Sequence, residues 1–222
     1  MNDKIKQIEN IEDVVNYVSS VINEKLQLGR NVLWFVSGGS AISLEVAIAK
    51  RINVFEANKL AVTLADERFV KINDPESNWF KLIKAGFSIK DAKFIPFLKG
   101  KSFTETTNSI KEVLEVELNN AQYKIGIFGI GADGHTAGIL PHSKAINSKD
   151  IICNYETDLY NRITITPKTI SMLDEAIISA VGESKWKVIK DLEHSIPVND
   201  MPAQILKQIP LLTIFTDFKN NI

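Results

Sequence analysis

Val32-Leu33-Trp34-Phe35-Val36-Ser37-Gly38-Gly39-Ser40 carries the reading of the whole chain. Its first five residues are β-branched, aromatic or large and apolar, which predicts a strand. Ser37-Gly38-Gly39-Ser40 breaks that strand, and a helical stretch follows from Ala41 to Arg51. The unit is strand, glycine-rich turn, helix. Upstream, Val14, Val15, Val18, Val21, Ile22 and Leu26 recur at helical spacing between Ile11 and Leu28, with Gly29 as a C-terminal stop. Downstream the alternation continues: a strand at Lys59–Leu64, a helix from Asp74-Pro75 to Ala85, and a helix opened by a Ser102/Glu105 capping box. Strands are predicted at Tyr123–Phe128, near Ile151–Cys153, at Arg162–Thr166, at Ala176–Val181 and at Leu211–Thr216. Helices are predicted at Lys168–Asp174 and Ser184–Leu192. Such alternation predicts an α/β layered fold with a mostly parallel sheet, whose ligands sit beyond the carboxyl ends of the strands.

Composition narrows the function. The chain has 222 residues, 45% of them hydrophobic, enough for one core, so residues 1–222 are expected to form a single domain. Lys plus Arg number 26 against 27 Asp plus Glu, which leaves no basic excess for a nucleic-acid backbone or an anionic membrane surface. No apolar run approaches the roughly 18 residues that span a bilayer. A single cysteine, Cys153, allows no intramolecular disulfide and is expected to be a small buried apolar residue. A cytoplasmic location and a monomer or small homo-oligomer are the expectations. With three histidines, one cysteine and no HxxxH or CxxC spacing, neither a metal nor another cofactor is expected.

The chemistry-bearing residues fall at predicted strand ends. Ser37, Gly38, Gly39 and Ser40 suit an anion, because side-chain-free glycines let backbone N–H groups approach it and a helix N-terminus follows; read alone, they are equally a plain tight turn. Asp66-Glu67-Arg68 follows the Lys59–Leu64 strand, and Arg68 suits bidentate contact with a phosphate or carboxylate, although such clusters are often solvated loops. Gly129-Ile130-Gly131-Ala132-Asp133-Gly134-His135-Thr136 imitates a dinucleotide fingerprint, but Pro141 leaves under two turns for the helix that motif needs. As a P-loop it would hold His135 where a lysine belongs. What it does supply is Asp133 and His135 two residues apart, an acid–base pair. His142 and His194 are expected to be structural or exposed. Arg162 and Lys185 alone are ordinary solvated cations, and matter only if they share a ligand.

Taken in order, Ser37–Ser40, Asp66–Arg68, Ser77-Asn78, Gly129–Ser143, Arg162–Thr166 and Gly182–Lys185 resemble the 6-phosphogluconolactonase family, within the larger group that includes glucosamine-6-phosphate deaminases. The resemblance implies a three-layer αβα, NagB/RpiA-like fold and a phosphorylated sugar lactone as substrate. It further implies a phosphate held by the first glycine turn with Arg162 and Lys185, Arg68 on the phosphate or the carbonyl oxygen, and catalysis by His135 with Asp133 orienting it. The deaminases of the group carry a glutamate in a DGHxxFNEP pattern; in this sequence its place is Leu140. A deaminase and a non-catalytic sugar-phosphate sensor are the competing expectations. Gly138-Ile139-Leu140 stands where the family usually has Ser-Leu-Phe, and Ala41-Ile42 where many members have Thr-Pro.

Overall fold

A computed structural model describes residues 5–8 and 10–218. In chain order it contains β1 (Ile5–Gln7), α1 (Glu12–Gln27), β2 (Val32–Val36), α2 (Ile42–Ala49), β3 (Leu60–Leu64), β4 (Asp66–Arg68), α3 (Asn78–Lys84) and β5 (Lys93–Ile95). Then follow α4 (Phe103–Asn120), β6 (Tyr123–Phe128), β7 (Ile152–Tyr155), β8 (Arg162–Ile165), α5 (Pro167–Ile170), β9 (Glu175–Ala180), α6 (Glu183–Glu193) and β10 (Leu211–Thr216). Seven strands form one sheet in the order β1-β10-β9-β6-β2-β3-β5, and every pairing in it is parallel. With this strand order, the right-handed rule for parallel crossovers assigns α1, α2 and α3 to one face, where α1 touches α2 and α2 touches α3, and α4, α5 and α6 to the other, the three-layer α/β arrangement.

The order of strands creates the site. From β2 the chain moves outward one way, to β3 and β5; from β6 it moves the other way, to β9 and β10. The connections after β2 and β6 therefore diverge, leaving a crevice at the carboxyl ends of two adjacent central strands. Every residue of β2 is buried, and Trp34 and Phe35 have no exposed surface, so this edge of the crevice rests on the middle of the core.

Several boundaries follow from tertiary partners. α4 carries the expected capping box, Ser102 and Glu105 each bonding the other's backbone. α3 starts at Asn78 instead of near Pro75, because Asp74 closes a turn through the Glu76 N–H at 2.8 Å, and Ser77 caps the helix by accepting from Phe80 N at 3.1 Å. The helix expected over Lys168–Asp174 is the short α5: Asp174 is pulled to the start of β6, its N–H donating to Lys124 O at 2.9 Å and its carboxylate accepting from Lys124 N at 2.7 Å. The strands expected near Ile151–Cys153 and at Arg162–Thr166 form as β7 and β8. They build a separate antiparallel sheet, β4-β8-β7, and do not join the main one. Cys153, expected to be buried, is only half-buried on β7.

Candidate active site

β4 does what an all-charged tripeptide seldom does: it forms a strand with Asp66 and Glu67 both buried. Glu67 accounts for this. Its carboxylate accepts from Ser77 Oγ at 2.9 Å, Asn78 N at 2.7 Å and Trp79 N at 3.1 Å, occupying the N-terminus of α3. The Arg68 N–H adds a further donor at 2.8 Å. Burial nevertheless outweighs these donors and raises the Glu67 carboxyl from 4.5 to about 7. A carboxyl raised on folding stabilises the native state below its unfolded value and loses that contribution as pH climbs through the folded one. Stability of the wild type relative to Glu67→Gln is therefore expected to fall between about pH 4.5 and about pH 7. Chemical denaturation of both proteins across that range checks it, and parallel curves would contradict it.

With Glu67 fixed, register does the rest. β4 pairs β8 so that Arg68 lies directly opposite Arg162 and Asp66 opposite Thr164. Directly opposed residues share a face of the sheet, so two guanidinium groups stand side by side, an arrangement that costs stability unless carboxylates intervene. They do. Arg162 Nη1 donates to Asp66 Oδ2 at 3.2 Å, and Arg68 is ion-paired with Glu76 while its guanidinium lies 4.8 Å from the centre of the Tyr160 ring. Arg162 Nε is buried with no acceptor among the described residues. Burial raises the Asp66 carboxyl, opposed by the charges of Arg162, His135 and Arg68.

The segment after β6 forms no helix. It folds back on itself, Gly131 N donating to His135 O at 2.9 Å and Gly134 N to Gly131 O at 2.9 Å, with Gly134 at φ 80°. This tight turn, not an extended chain, brings Asp133 Oδ1 to 2.6 Å from His135 Nδ1 and 3.2 Å from its backbone N. A carboxylate only accepts, so Nδ1 carries the proton and Nε2 is left as the basic nitrogen. Burial tends to raise the Asp133 carboxyl, but the His135 backbone N–H, together with the imidazole's charge and hydrogen bond, holds it below the ordinary value. Farther on, the Tyr155 hydroxyl donates to Gly138 O and Thr164 Oγ1 to Ala137 O, tying the loop to β7 and β8.

Gly131 is small for reasons of room. A Cβ there would lie 2.1 Å from His135 Nδ1 and 2.5 Å from Asp133 Oδ1. Gly131→Ala is expected to separate the pair and lower turnover by about 10²-fold, toward the loss of the histidine itself, without unfolding the chain. Steady-state kinetics with a circular dichroism control tests this; wild-type turnover in the folded variant would show the pairing to be dispensable.

One cleft of about 290 Å³ gathers nearly all of these groups: Ser37, Gly38, Gly39, Ser40, Arg68, His135, Arg162 and Lys185 all line it. Asp133 does not; it stands behind the imidazole. Lys185, in the first turn of α6, reaches across to donate to Ile130 O at 2.6 Å. Ser37 lines the cleft, but its N–H donates to Glu45 Oε1 at 2.5 Å and its hydroxyl to Ile127 O at 2.6 Å, so both of its donors are already engaged. Asp66 and Asn78 also line the cleft, and sequence reasoning gave neither a role. Asn78 bonds Asp66 O at 3.0 Å and sits so close beneath Gly38 that a Cβ there would fall 2.2 Å from its Oδ1. Their signal was the charged triplet followed by Ser77-Asn78, legible only once the two are known to touch. His142 and His194 are exposed and away from the cleft. Among the described residues no group of three or more His, Cys, Asp or Glu side chains is placed to hold a metal ion.

The chain is similar to known proteins along most of its length. A 6-phosphogluconolactonase of Borreliella burgdorferi is 28% identical over 202 residues, covering 84% of this chain and 83% of that protein. A glucosamine-6-phosphate deaminase of Lactobacillus delbrueckii subsp. bulgaricus is 23% identical, covering 96% of each. The crystal structure of a 6-phosphogluconolactonase from Shewanella baltica superposes with a TM-score of 0.83 at 22% identity, covering 96% of each chain, and so shares the fold. The model of the family described as glucosamine-6-phosphate isomerases/6-phosphogluconolactonase matches residues 6–213, nearly the whole chain, and the protein belongs to that family.

Proposed function

We propose that the cleft hydrolyses 6-phospho-D-glucono-1,5-lactone to 6-phosphogluconate, a step of the oxidative pentose phosphate pathway. The observation that supports it most is the His135–Asp133 contact at 2.6 Å, which leaves one basic imidazole nitrogen on a ring lining the same cleft as Arg68, Arg162 and Lys185. A base beside fixed cations suits an anionic ester. In this reading the 6-phosphate is held by Arg162, Lys185 and the N–H groups of Gly38, Gly39 and Ser40. Holding it places the lactone carbonyl near the imidazole, so that attack becomes effectively unimolecular. His135 Nε2 takes a proton from water as the new C–O bond forms at C1, and Asp133 stabilises the imidazolium. The negative charge on the carbonyl oxygen needs a preorganised donor, and Arg68, which lines the same cleft, can serve either that oxygen or the phosphate. When the tetrahedral intermediate collapses, the bond from C1 to the ring oxygen breaks, and the imidazolium returns its proton to that oxygen. One histidine serves both proton transfers of the ring opening, the product acid then loses its proton to solvent, and no step draws on a cofactor. Asp66 keeps the Arg162 guanidinium aimed while the site is empty.

We read residues 1–222 as one domain, acting in the cytoplasm as a monomer or small homo-oligomer, with no nucleic-acid or membrane partner. In support, one connected apolar core runs from Ile8 to Phe215, and no described helix is long and apolar enough to cross a membrane.

Arg162→Ala and Lys185→Ala are each expected to lower kcat/KM for the phosphorylated lactone by about 10- to 100-fold, the range expected for a charge-assisted hydrogen bond worth about 1.5–3 kcal/mol. Hydrolysis of unphosphorylated gluconolactone should change little. Parallel losses on both lactones would show that these residues do not hold the phosphate.

A further inference from the structure

The floor of the glycine turn is a second carboxyl group. Glu45 projects from the first turn of α2 back under Ser37, has no exposed surface, and accepts the Ser37 N–H at 2.5 Å. Its other oxygen, Oε2, is buried without a partner among the described residues. Around it α2 reads Ile42-Ser43-Leu44-Glu45-Val46-Ala47-Ile48-Ala49, and Leu44, Val46, Ile48 and Ala49 are buried. Packing alone would favour an apolar side chain there, since burying an acid costs free energy that an aliphatic residue of the same size avoids. The one hydrogen bond this carboxyl makes among the described residues is to the glycine turn.

We propose that Glu45 is a positioning residue for phosphate binding: it draws the Ser37 N–H inward, and so leaves the N–H groups of Gly38, Gly39 and Ser40 facing the anion. The chain must reverse direction at the end of β2, and which amides face the crevice depends on how Ser37 is anchored. Ser37 is anchored twice, by Glu45 at its nitrogen and by Ile127 O at its hydroxyl, so both of its donors are already engaged. Gly39, at φ 64°, then turns the chain into the short 3-10 segment Gly39–Ala41 ahead of α2. Burial pushes the Glu45 carboxyl well above the ordinary carboxylate range, against the Ser37 N–H.

The proposal rests on the lactonase reading only for the identity of the anion, so binding and turnover are measured separately. Glu45→Gln retains an acceptor oxygen at the same place, and Glu45→Met keeps the volume and removes it. Isothermal titration with 6-phosphogluconate is expected to show wild-type affinity for Glu45→Gln and roughly tenfold weaker binding for Glu45→Met. In lactone hydrolysis Glu45→Met should raise KM by a similar factor and leave kcat nearly unchanged. A folded Glu45→Met that binds as the wild type does overturns the proposal, and so does a Glu45→Gln that binds as poorly as the methionine variant. A second measurement needs no variant. In amide spectra of the wild type, titration with 6-phosphogluconate should move the signals of Gly38, Gly39 and Ser40, while Ser37 stays protected from exchange throughout. If Ser37 shifts most and loses protection, its amide serves the ligand and not Glu45. A wild type that binds 6-phosphogluconate but hydrolyses no lactone would refute the functional reading and leave the role of Glu45 decided by the binding data.

Discussion

His135→Ala is expected to lower enzyme-dependent lactone turnover by about 10²–10⁴-fold, the usual consequence of losing a general base. That loss corresponds to a barrier higher by ~2.7–5.4 kcal/mol. The fold should survive, because the His135 side chain is 37% exposed and its hydrogen bond goes to Asp133, which is itself 53% exposed. Nothing buried is left without a partner. The rate must be read after subtracting spontaneous hydrolysis, with circular dichroism as the folding control. Turnover near that of the wild type in a folded variant would remove His135 from the chemistry and return the charged cleft to a binding role alone.

The second large effect is one of specificity. The protein is expected to release no ammonia from glucosamine 6-phosphate, although one relative of comparable coverage is a deaminase. The place of the glutamate in the deaminase pattern is held by Leu140, which packs against the hydrophobic core, its N–H lying 3.4 Å from the Tyr155 hydroxyl. A leucine neither accepts a hydrogen bond nor carries charge, so a relay that protonates the ring oxygen and opens the pyranose has no member there. A lactone needs no such opening, since its carbonyl is already exposed to attack. An ammonia-release assay checks this, and turnover of glucosamine 6-phosphate as fast as that of the lactone would place the chain in the deaminase branch.

The legible parts of this chain are those whose cause is local. Val32–Val36 is strand-forming in every residue and forms the expected strand; Gly29 ends α1 and Ser102/Glu105 opens α4 as their spacing predicts. The glycine-rich segment around Asp133 and His135 stood out because glycines are needed where a histidine and its carboxylate are folded together. β4 was illegible for the opposite reason. Asp66-Glu67-Arg68 has the composition of a solvated loop, and it becomes a strand only because Glu67 finds the N-terminus of α3 and Asp66 finds Arg162, ninety-six residues away. The start of α3 moves from Pro75 to Asn78 because Asp74 is taken by a turn and Ser77 caps the helix, with Glu67 adding acceptors for the Asn78 and Trp79 N–H groups. Glu45 was hidden in the same way: within Ile42–Ala49 it looks like the exposed residue of a helix, and only the fold shows that it points back beneath the turn. The edge strands β1 and β5, three residues each, take their extended form from the neighbours they pair with, β10 and β3.

The central claim, that this cleft opens a phosphorylated lactone ring, is tested most directly by adding the purified protein to freshly generated 6-phosphogluconolactone and following the formation of 6-phosphogluconate against the spontaneous rate. The account predicts rapid, protein-dependent hydrolysis that 6-phosphogluconate inhibits competitively and that far exceeds the rate on unphosphorylated gluconolactone. Hydrolysis no faster than in buffer, from a folded protein that still binds 6-phosphogluconate, would contradict it.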